Sequence, residues 1–234
     1  MQKMGISAPC FKFWGLLMRL PNIALSSVML EAYRCRHFGS CKEAQYAPQR
    51  GFVPRGFVGA TGDLKDVEAI FIVAEPGHPL EGEVYSESAP EVVMGEAVAH
   101  TYRCFETSEE VFHRNMRWVL DQAWPGTFEH QMTKVWITEG RLCSIFDEIR
   151  GFNDKLCAPT YLSRQLALMP DAIVVLFGGK AVDRAAKLPE LQHRRVLKAL
   201  ALAPPGANFV RARPSWLAAI DVIRDKQRQR TPAE

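Results

Sequence analysis

Residues 69–73 read Ala-Ile-Phe-Ile-Val and are followed at once by Ala-Glu-Pro-Gly at residues 74–77. An apolar run of this length that ends at a Pro-Gly break is typical of a buried strand closed by a turn. Two further runs have the same character, at residues 134–138 (Lys-Val-Trp-Ile-Thr) and 172–177 (Ala-Ile-Val-Val-Leu-Phe). A fourth, short strand is expected at residues 208–211. The chain therefore contains at least four candidate strands.

Segments with helical spacing separate these strands. Helices are predicted over residues 21–32, 93–124, 158–169, 180–187 and 216–228, whereas residues 39–66 and 78–92 read as irregular. Apolar strands that alternate with helices are typical of a parallel sheet covered on both faces. We therefore expect a three-layer α/β/α sandwich around a central, mainly parallel four-stranded sheet. Ligands bind such sheets beyond the carboxyl ends of the strands.

The composition is that of an ordinary globular chain of 234 residues, with 47% hydrophobic and 24% charged residues. Residues 31–228 are expected to form one domain, preceded by an N-terminal extension at 1–30 and followed by a polar tail at 229–234. The net charge of +3 allows a local basic groove but does not by itself indicate nucleic-acid binding. No cleavage signature and no apolar run long enough for a membrane span are seen, so a cytoplasmic location is expected. The chain is also expected to be a monomer.

The ends of the predicted strands carry an ordered set of motifs. They are Ile-Val-Ala-Glu-Pro-Gly at 72–77, Val-Trp-Ile-Thr-Glu at 135–139, Met-Pro-Asp-Ala-Ile-Val-Val-Leu-Phe-Gly at 169–178 and Arg-Pro-Ser at 213–215. In this order the motifs resemble those of the uracil-DNA glycosylase superfamily, especially its iron–sulfur branches. The resemblance implies a DNA-repair glycosylase that hydrolyses the N-glycosidic bond of uracil or another deaminated base in single- or double-stranded DNA.

The six cysteines leave open free core thiols, reactive thiols and metal ligands. The resemblance implies that four of them bind a [4Fe–4S] cluster, which requires four thiolates: Cys35, Cys41, Cys143 and Cys157. Five residues separate the first two, where the family usually has two, and buried core thiols are the alternative. Cys10 and Cys104 have no place in the family pattern.

The resemblance also implies a base-binding pocket, in which three positions depart from the family pattern. Ala74 stands where the family has its catalytic carboxylate, and Glu75 follows it, either as a substitute or as a structurally paired carboxylate. Glu139 replaces an asparagine that reads uracil, and it could imitate the amide if burial keeps it protonated. Arg213 replaces a histidine and could stabilise the leaving base or clamp a phosphate.

The remaining site residues are also implied by the resemblance. Tyr85 is the candidate for stacking on the base, and Ser215 could bind a phosphate. Pro76, Gly77 and Gly178 belong to turns that allow close backbone approach to a ligand. The phosphate groove could include Arg55, Lys180 and Arg211.

The sequence leaves two other functions open. One is a catalytically inactive member of the superfamily that binds nucleic acid or another partner without excising a base. The other is a parallel-sheet nucleotide-binding protein with a chance resemblance, against which the absence of a Gly-x-Gly-x-x-Gly or P-loop motif counts.

Overall fold

The structure of the chain is a computed structural model that describes residues 19–38, 41, 44–144 and 156–230. It contains a five-stranded sheet in the order β1-β3-β2-β4-β5. β1 pairs with β3 antiparallel, and the other neighbours are parallel. The strands are β1 Val58–Gly59, β2 Ala69–Val73, β3 Val135–Glu139, β4 Ile173–Phe177 and β5 Val196–Ala199.

Helices precede, connect and follow the strands. The described α-helices are α1 Ile23–Ala32, α2 Pro90–Thr107, α3 Val111–Ala123, α4 Phe128–Lys134, α5 Ser163–Ala167, α6 Gly179–Ala185 and α7 Ala212–Arg230. A π-helical turn, Ala158–Leu162, leads directly into α5. None of the helices in the described ranges is long and apolar enough to cross a membrane.

Every residue of β2, β3 and β4 is buried. Since successive side chains of a strand point to opposite faces, both faces of the sheet are covered. The predicted α/β class and the mainly parallel sheet are thus confirmed. Val73 of β2 is paired with Glu139 of β3, and Ile72 with Leu176 of β4. The three central strands therefore end together, and the segments that follow them meet at one edge of the sheet.

The prediction of a fourth strand at residues 208–211 was wrong. Residues Gly206–Asn208 form a 3-10 turn and α7 begins at Ala212, whereas the strand next to β4 is β5. β5 lies at the edge of the sheet and is only partly buried, with Lys198 exposed. It consequently lacks the continuous apolar run that marked the central strands. The short β1 raises the strand count to five.

Two further boundaries differ from the prediction. The helix expected over 93–124 is two helices, because Ser108 ends α2 in the left-handed region at φ 51°. The limit of the N-terminal extension at residue 30 falls inside α1, whose Leu25 and Met29 are fully buried in the core. The packed domain therefore includes α1, and at the other end α7 continues to Arg230.

Candidate functional site

A cleft of about 830 Å³ opens at the carboxyl ends of β2, β3 and β4. The turn after β2 forms its floor together with Glu139, and residues of α2 and α3 form one side. The loop after β5 forms another side, through residues 201–204. The cleft includes the following predicted site residues: Ala74, Glu75, Pro76, Gly77 and Glu139.

Glu75 is held by three cations. Its Oε1 lies 3.0 Å from Lys180 Nζ, and its Oε2 lies 3.3 Å from Arg141 Nη2 and also accepts from Arg184. Burial opposes ionisation of Glu75, but the three positive charges outweigh it and lower the pKa of the carboxyl. Glu75 is therefore an ionised, structurally paired carboxylate at the edge of the cleft, and a weak base.

Arg184 and Arg141 fix the backbone of the same turn. Arg184 donates to the carbonyl oxygen of Ala74, and the backbone N–H of Arg141 donates to that oxygen over 3.1 Å. Ala74 thus contributes a small side chain to the cleft and a carbonyl oxygen to the scaffold, and its position carries no acid.

Glu139 is the buried carboxyl of the cleft, with 4% of its surface exposed. Burial, reinforced by the negative charge of Glu75, raises the pKa of Glu139 well above its usual value. Its Oε2 makes no hydrogen bond within the described chain. Burial therefore favours the protonated form of this carboxyl, which has one O–H donor and one C=O acceptor.

Gly56 makes room for this carboxyl. Its φ is +85°, and a Cβ at this position would lie 2.4 Å from Glu139 Oε1. A glycine is therefore required both by the backbone conformation and by the close approach of the acid.

A second buried acid, Glu83, organises the loop beside the cleft. Its carboxylate accepts from the Leu80 backbone N–H over 2.8 Å and from Tyr85 Oη over 2.5 Å. Arg55 Nε lies 3.2 Å and His100 Nε2 lies 3.4 Å from its oxygens. Burial opposes the charge, but these partners lower the pKa of Glu83 to about 2.

His100 is the positive partner of this acid. The nearby sulfur of Cys104 and the carboxylate of Glu83 raise the pKa of His100 to about 9, so the ring is charged at neutral pH. Arg55 also donates to the carbonyl oxygen of Gly77 over 2.6 Å. The loop after the β2 turn is therefore fixed by an ion-pair network centred on Glu83.

Tyr85 and Gly178 do not line the cleft as the resemblance implied. Tyr85 is buried, and its hydroxyl is bound to Glu83. Gly178 has a φ of +89°, and a Cβ there would lie 2.9 Å from the side chain of Ala201. Gly178 therefore allows the loop after β5 to pack closely against it, and Ala201 of this loop lines the cleft.

Arg213 and Ser215 lie in the first turn of α7, outside the residues that line the cleft. The Arg213 guanidinium stacks over the Trp118 ring at 5.0 Å. Ser215 Oγ accepts from the Leu200 backbone N–H over 2.9 Å and donates to the Ala212 carbonyl oxygen over 2.7 Å. The Arg-Pro-Ser motif therefore begins a helix and ties it to the end of β5, and the predicted register of this motif was wrong.

The four cysteines implied as ligands surround one small cavity, which we call the cysteine cavity. Cys35, Cys41, Cys143 and Cys157 all line it. Burial, followed by the neighbouring sulfurs, raises the pKa of the Cys143 thiol. In the described ranges no three His, Cys, Asp or Glu side chains stand in ligating geometry. The four sulfurs around this cavity match the number of thiolates that a four-thiolate cluster requires.

Several residues of the cleft were not predicted as site residues from the sequence: His100, Cys104, His113 and the loop at 201–204. The neighbouring Glu83 was not predicted either. For His113 a signal did exist. His113, Met116 and Leu120 lie on one side of α3 by helical spacing, and the latter two are fully buried. A histidine on such an apolar stripe is a candidate for a buried or functional imidazole.

Comparisons with known proteins add no family to this geometry, since no protein-family model and no curated protein matches the chain. The cleft and the cysteine cavity are therefore the features of the chain that bear on its function.

Proposed function

We propose that the chain is a DNA glycosylase that hydrolyses the N-glycosidic bond of uracil or another deaminated base. The Glu139 carboxyl, buried at the floor of the cleft with an oxygen that makes no hydrogen bond within the described chain, is the observation that carries the proposal. Enzymes that act on a base extrude it into a pocket and read its edge by hydrogen bonds. An acid that offers one donor and one acceptor is suited to an edge with adjacent N–H and C=O groups.

Glu139 would assist the reaction by stabilising the leaving base. As the glycosidic bond breaks, its electron pair passes to the base, and negative charge builds on the base carbonyls. The Glu139 O–H would donate to such an oxygen in a site largely shielded from water. Water then adds to the sugar carbon and loses a proton. Glu75, already neutralised by three cations, would assist water attack weakly, so we expect excision to depend mainly on departure of the base.

The unfixed Oε2 also bears on specificity. A protonated carboxyl can place its donor on either oxygen, whereas an amide held by its neighbours presents one order of donor and acceptor. Glu139 should therefore accept the N–H/C=O edge of uracil or hypoxanthine and discriminate weakly against the N/NH₂ edge of cytosine. This would be a relaxed form of the specificity that the resemblance implies.

The cysteine cavity supports the same family resemblance. Cys35, Cys41, Cys143 and Cys157 would hold a [4Fe–4S] cluster. Such a cluster supplies electron-transfer capacity and crosslinks the segments that bind it. Here it would join the segment after α1 to the segments on both sides of residues 145–155.

A second function is favoured by one observation. Glu75 is the only acid of the β2 turn at residues 74–77, and it is fully engaged in ion pairs. If leaving-group stabilisation alone is insufficient, the chain would bind nucleic acid without breaking a bond.

The test uses oligonucleotides, single- and double-stranded, that carry uracil, hypoxanthine, xanthine or only normal bases. After incubation, alkali cleaves the strand at abasic sites. We expect scission at uracil or hypoxanthine, a reduced rate with Glu139→Ala and substantial retention with Glu139→Gln, whose amide offers both an N–H donor and a C=O acceptor. The exposed Glu87→Gln is the matched control and should behave as the wild type.

Binding without scission on every substrate would overturn the glycosylase proposal and favour the second function. The absence of both scission and binding would overturn both functions.

A further inference from the structure

Cys104 lies on α2 at the side of the cleft and has no part in the mechanism described so far. Its side chain is half-buried, and among the described residues that line the cleft it is the only cysteine. The other four cysteines of the described ranges line the cysteine cavity. The thiol of Cys104 is therefore within reach of small molecules that enter the cleft.

His100, one helical turn before Cys104, faces this thiol. Its Nε2 lies 3.4 Å from Cys104 Sγ, and the same nitrogen lies 3.4 Å from Glu83 Oε2. Since both neighbours of Nε2 are acceptors, this nitrogen carries a hydrogen. The exposed Arg103 lies on the other side of the ring, with its Nη2 3.4 Å from Nδ1. The sulfur therefore has an N–H donor beside it.

This donor is positively charged at neutral pH. The contact with the Cys104 sulfur, followed by the contact with Glu83, raises the pKa of His100 to about 9. Glu83 is itself buried and bound to Arg55 and Tyr85, so the position of the ring is fixed from behind. A cation next to a cysteine favours the thiolate, which is the nucleophilic form of the side chain. A nucleophile and a proton donor thus lie side by side.

An independent observation indicates that the cleft admits a polar molecule. Glu139 lines the same cleft, is buried, and has an Oε2 that makes no hydrogen bond within the described chain. Buried polar atoms are normally paired with protein, water or a bound molecule. Small hydrogen-bonding molecules can therefore enter the space that Cys104 faces.

We propose that Cys104 is a modification site of this cleft, at which hydrogen peroxide oxidises the thiolate to a sulfenic acid. The sulfur attacks one oxygen of the peroxide, and an S–O bond forms as the O–O bond breaks. The departing hydroxide takes the Nε2 proton of His100 and becomes water, and the ring is reprotonated from solvent. Sulfur is oxidised and the peroxide is reduced. This inference goes beyond the proposed glycosylase function and does not depend on it.

The sulfenic acid is the product that we expect to accumulate. A sulfenic acid condenses with a neighbouring thiol to a disulfide, but no second cysteine of the described ranges lines the cleft. The oxidised side chain should therefore be open to dimedone, a reagent that adds to sulfenic acids.

The test treats the full chain at pH 7 with hydrogen peroxide and dimedone and follows the peptide that contains Cys104 by mass spectrometry. We expect the dimedone adduct on Cys104 in the wild type. His100→Gln removes the cation and should slow the labelling of Cys104 about tenfold, the effect of returning a thiolate to a thiol that is largely protonated at this pH. The exposed His130→Gln is the matched control and should label at the wild-type rate.

A second readout needs no peroxide. In NMR spectra, the ring of His100 should titrate at a lower pH in Cys104→Ser than in the wild type, because the sulfur that stabilises the imidazolium is gone. Absence of the adduct on Cys104, or equal labelling in the wild type and His100→Gln, would overturn the proposal. An unchanged titration of His100 in Cys104→Ser would also overturn it. Neither readout involves excision of a base, so failure of the glycosylase function leaves both results valid.

Discussion

At the scale of single residues, the carboxyl of Glu139 is the group through which pH acts most directly on the cleft. It is buried beside the ionised Glu75, and its pKa lies well above that of a carboxyl in the unfolded chain. As pH rises above about 4.5, the unfolded state loses this proton while the folded state keeps it. Folding stability therefore falls with pH, up to the pKa of the folded state.

Replacing Glu139 with glutamine should remove this pH dependence. The stability of Glu139→Gln relative to wild type should increase as pH rises from about 5 towards the folded-state pKa of Glu139, with a slope of up to about 1.4 kcal/mol per pH unit. Urea unfolding at several pH values measures it, with Glu87→Gln as control. A constant difference across this range would show that Glu139 is ionised in the folded protein.

For Glu75 we expect a glutamine substitution to lower the folding stability, because the negative charge of Glu75 offsets three neighbouring cations. Glu75→Gln leaves three cations together, of which Arg141 is 1% exposed, and should destabilise the protein by about 3 kcal/mol. Lys180→Gln removes the most exposed of the three and should cost less than about 1 kcal/mol. Among molecules that remain folded, excision by Glu75→Gln should stay within tenfold of wild type. A loss of 1000-fold without unfolding would identify Glu75 as the catalytic carboxylate.

The sequence was informative about residues whose neighbours are close along the chain or whose burial follows from strand position. Glu139 ends a buried strand, so the sequence could predict that it imitates an amide if burial keeps it protonated. The partners of Glu75 come from positions 141, 180 and 184, and no local pattern shows that they converge on one carboxylate. The pairing therefore becomes visible only when the ends of three strands meet.

At the scale of elements, the segment between β2 and α2 is fixed by charge, with Glu83 joining it to His100 of α2. Glu83 stabilises the fold above its unfolded pKa of about 4.5 and loses that contribution as pH falls towards about 2. The raised pKa of His100 gives a contribution that is full below about 6.5 and is lost as pH rises through about 9. In the folded protein both Glu83 and His100 are therefore charged between about pH 2 and about pH 9.

Removing the centre of this network should loosen the segment. Glu83→Gln leaves Arg55 and His100 without their acid and should destabilise the protein by roughly 3 kcal/mol. Hydrogen exchange of the Leu80 amide, which is bound to Glu83, should accelerate in the variant and, in the wild type, above pH 9 beyond the intrinsic increase. The exposed Glu81→Gln is the control on the same loop. Unchanged protection of the Leu80 amide from exchange would exclude a role of Glu83 in holding this segment in place.

Central and edge strands differed in how well they could be predicted. β2, β3 and β4 are buried on both faces, which requires a continuous apolar run, and they were found to within a residue or two. β5 has a single neighbour and contains an exposed lysine, so its sequence resembles that of a loop or a helix. The Arg-Pro-Ser motif was placed after the wrong segment for this reason.

At the scale of the whole molecule, the cysteine cavity brings together three distant parts of the chain. We expect anaerobically prepared protein to be brown and to contain iron and sulfide. Serine in place of any one of the residues Cys35, Cys41, Cys143 or Cys157 should reduce the iron content and the thermal stability. Cys104→Ser, which changes a cysteine of the cleft, should retain both. A folded, iron-free wild type would exclude the cluster.

Arg141 connects this cavity to the cleft. It lines the cysteine cavity, its Nε donates to the Cys143 carbonyl oxygen over 3.2 Å, and its Nη2 lies 3.3 Å from Glu75. One guanidinium is therefore shared by two sites that an engineer would wish to change separately. Replacing the cysteine side chains would keep the backbone oxygen that anchors Arg141, whereas a change in the path of the backbone at residue 143 would reach Glu75 through this guanidinium.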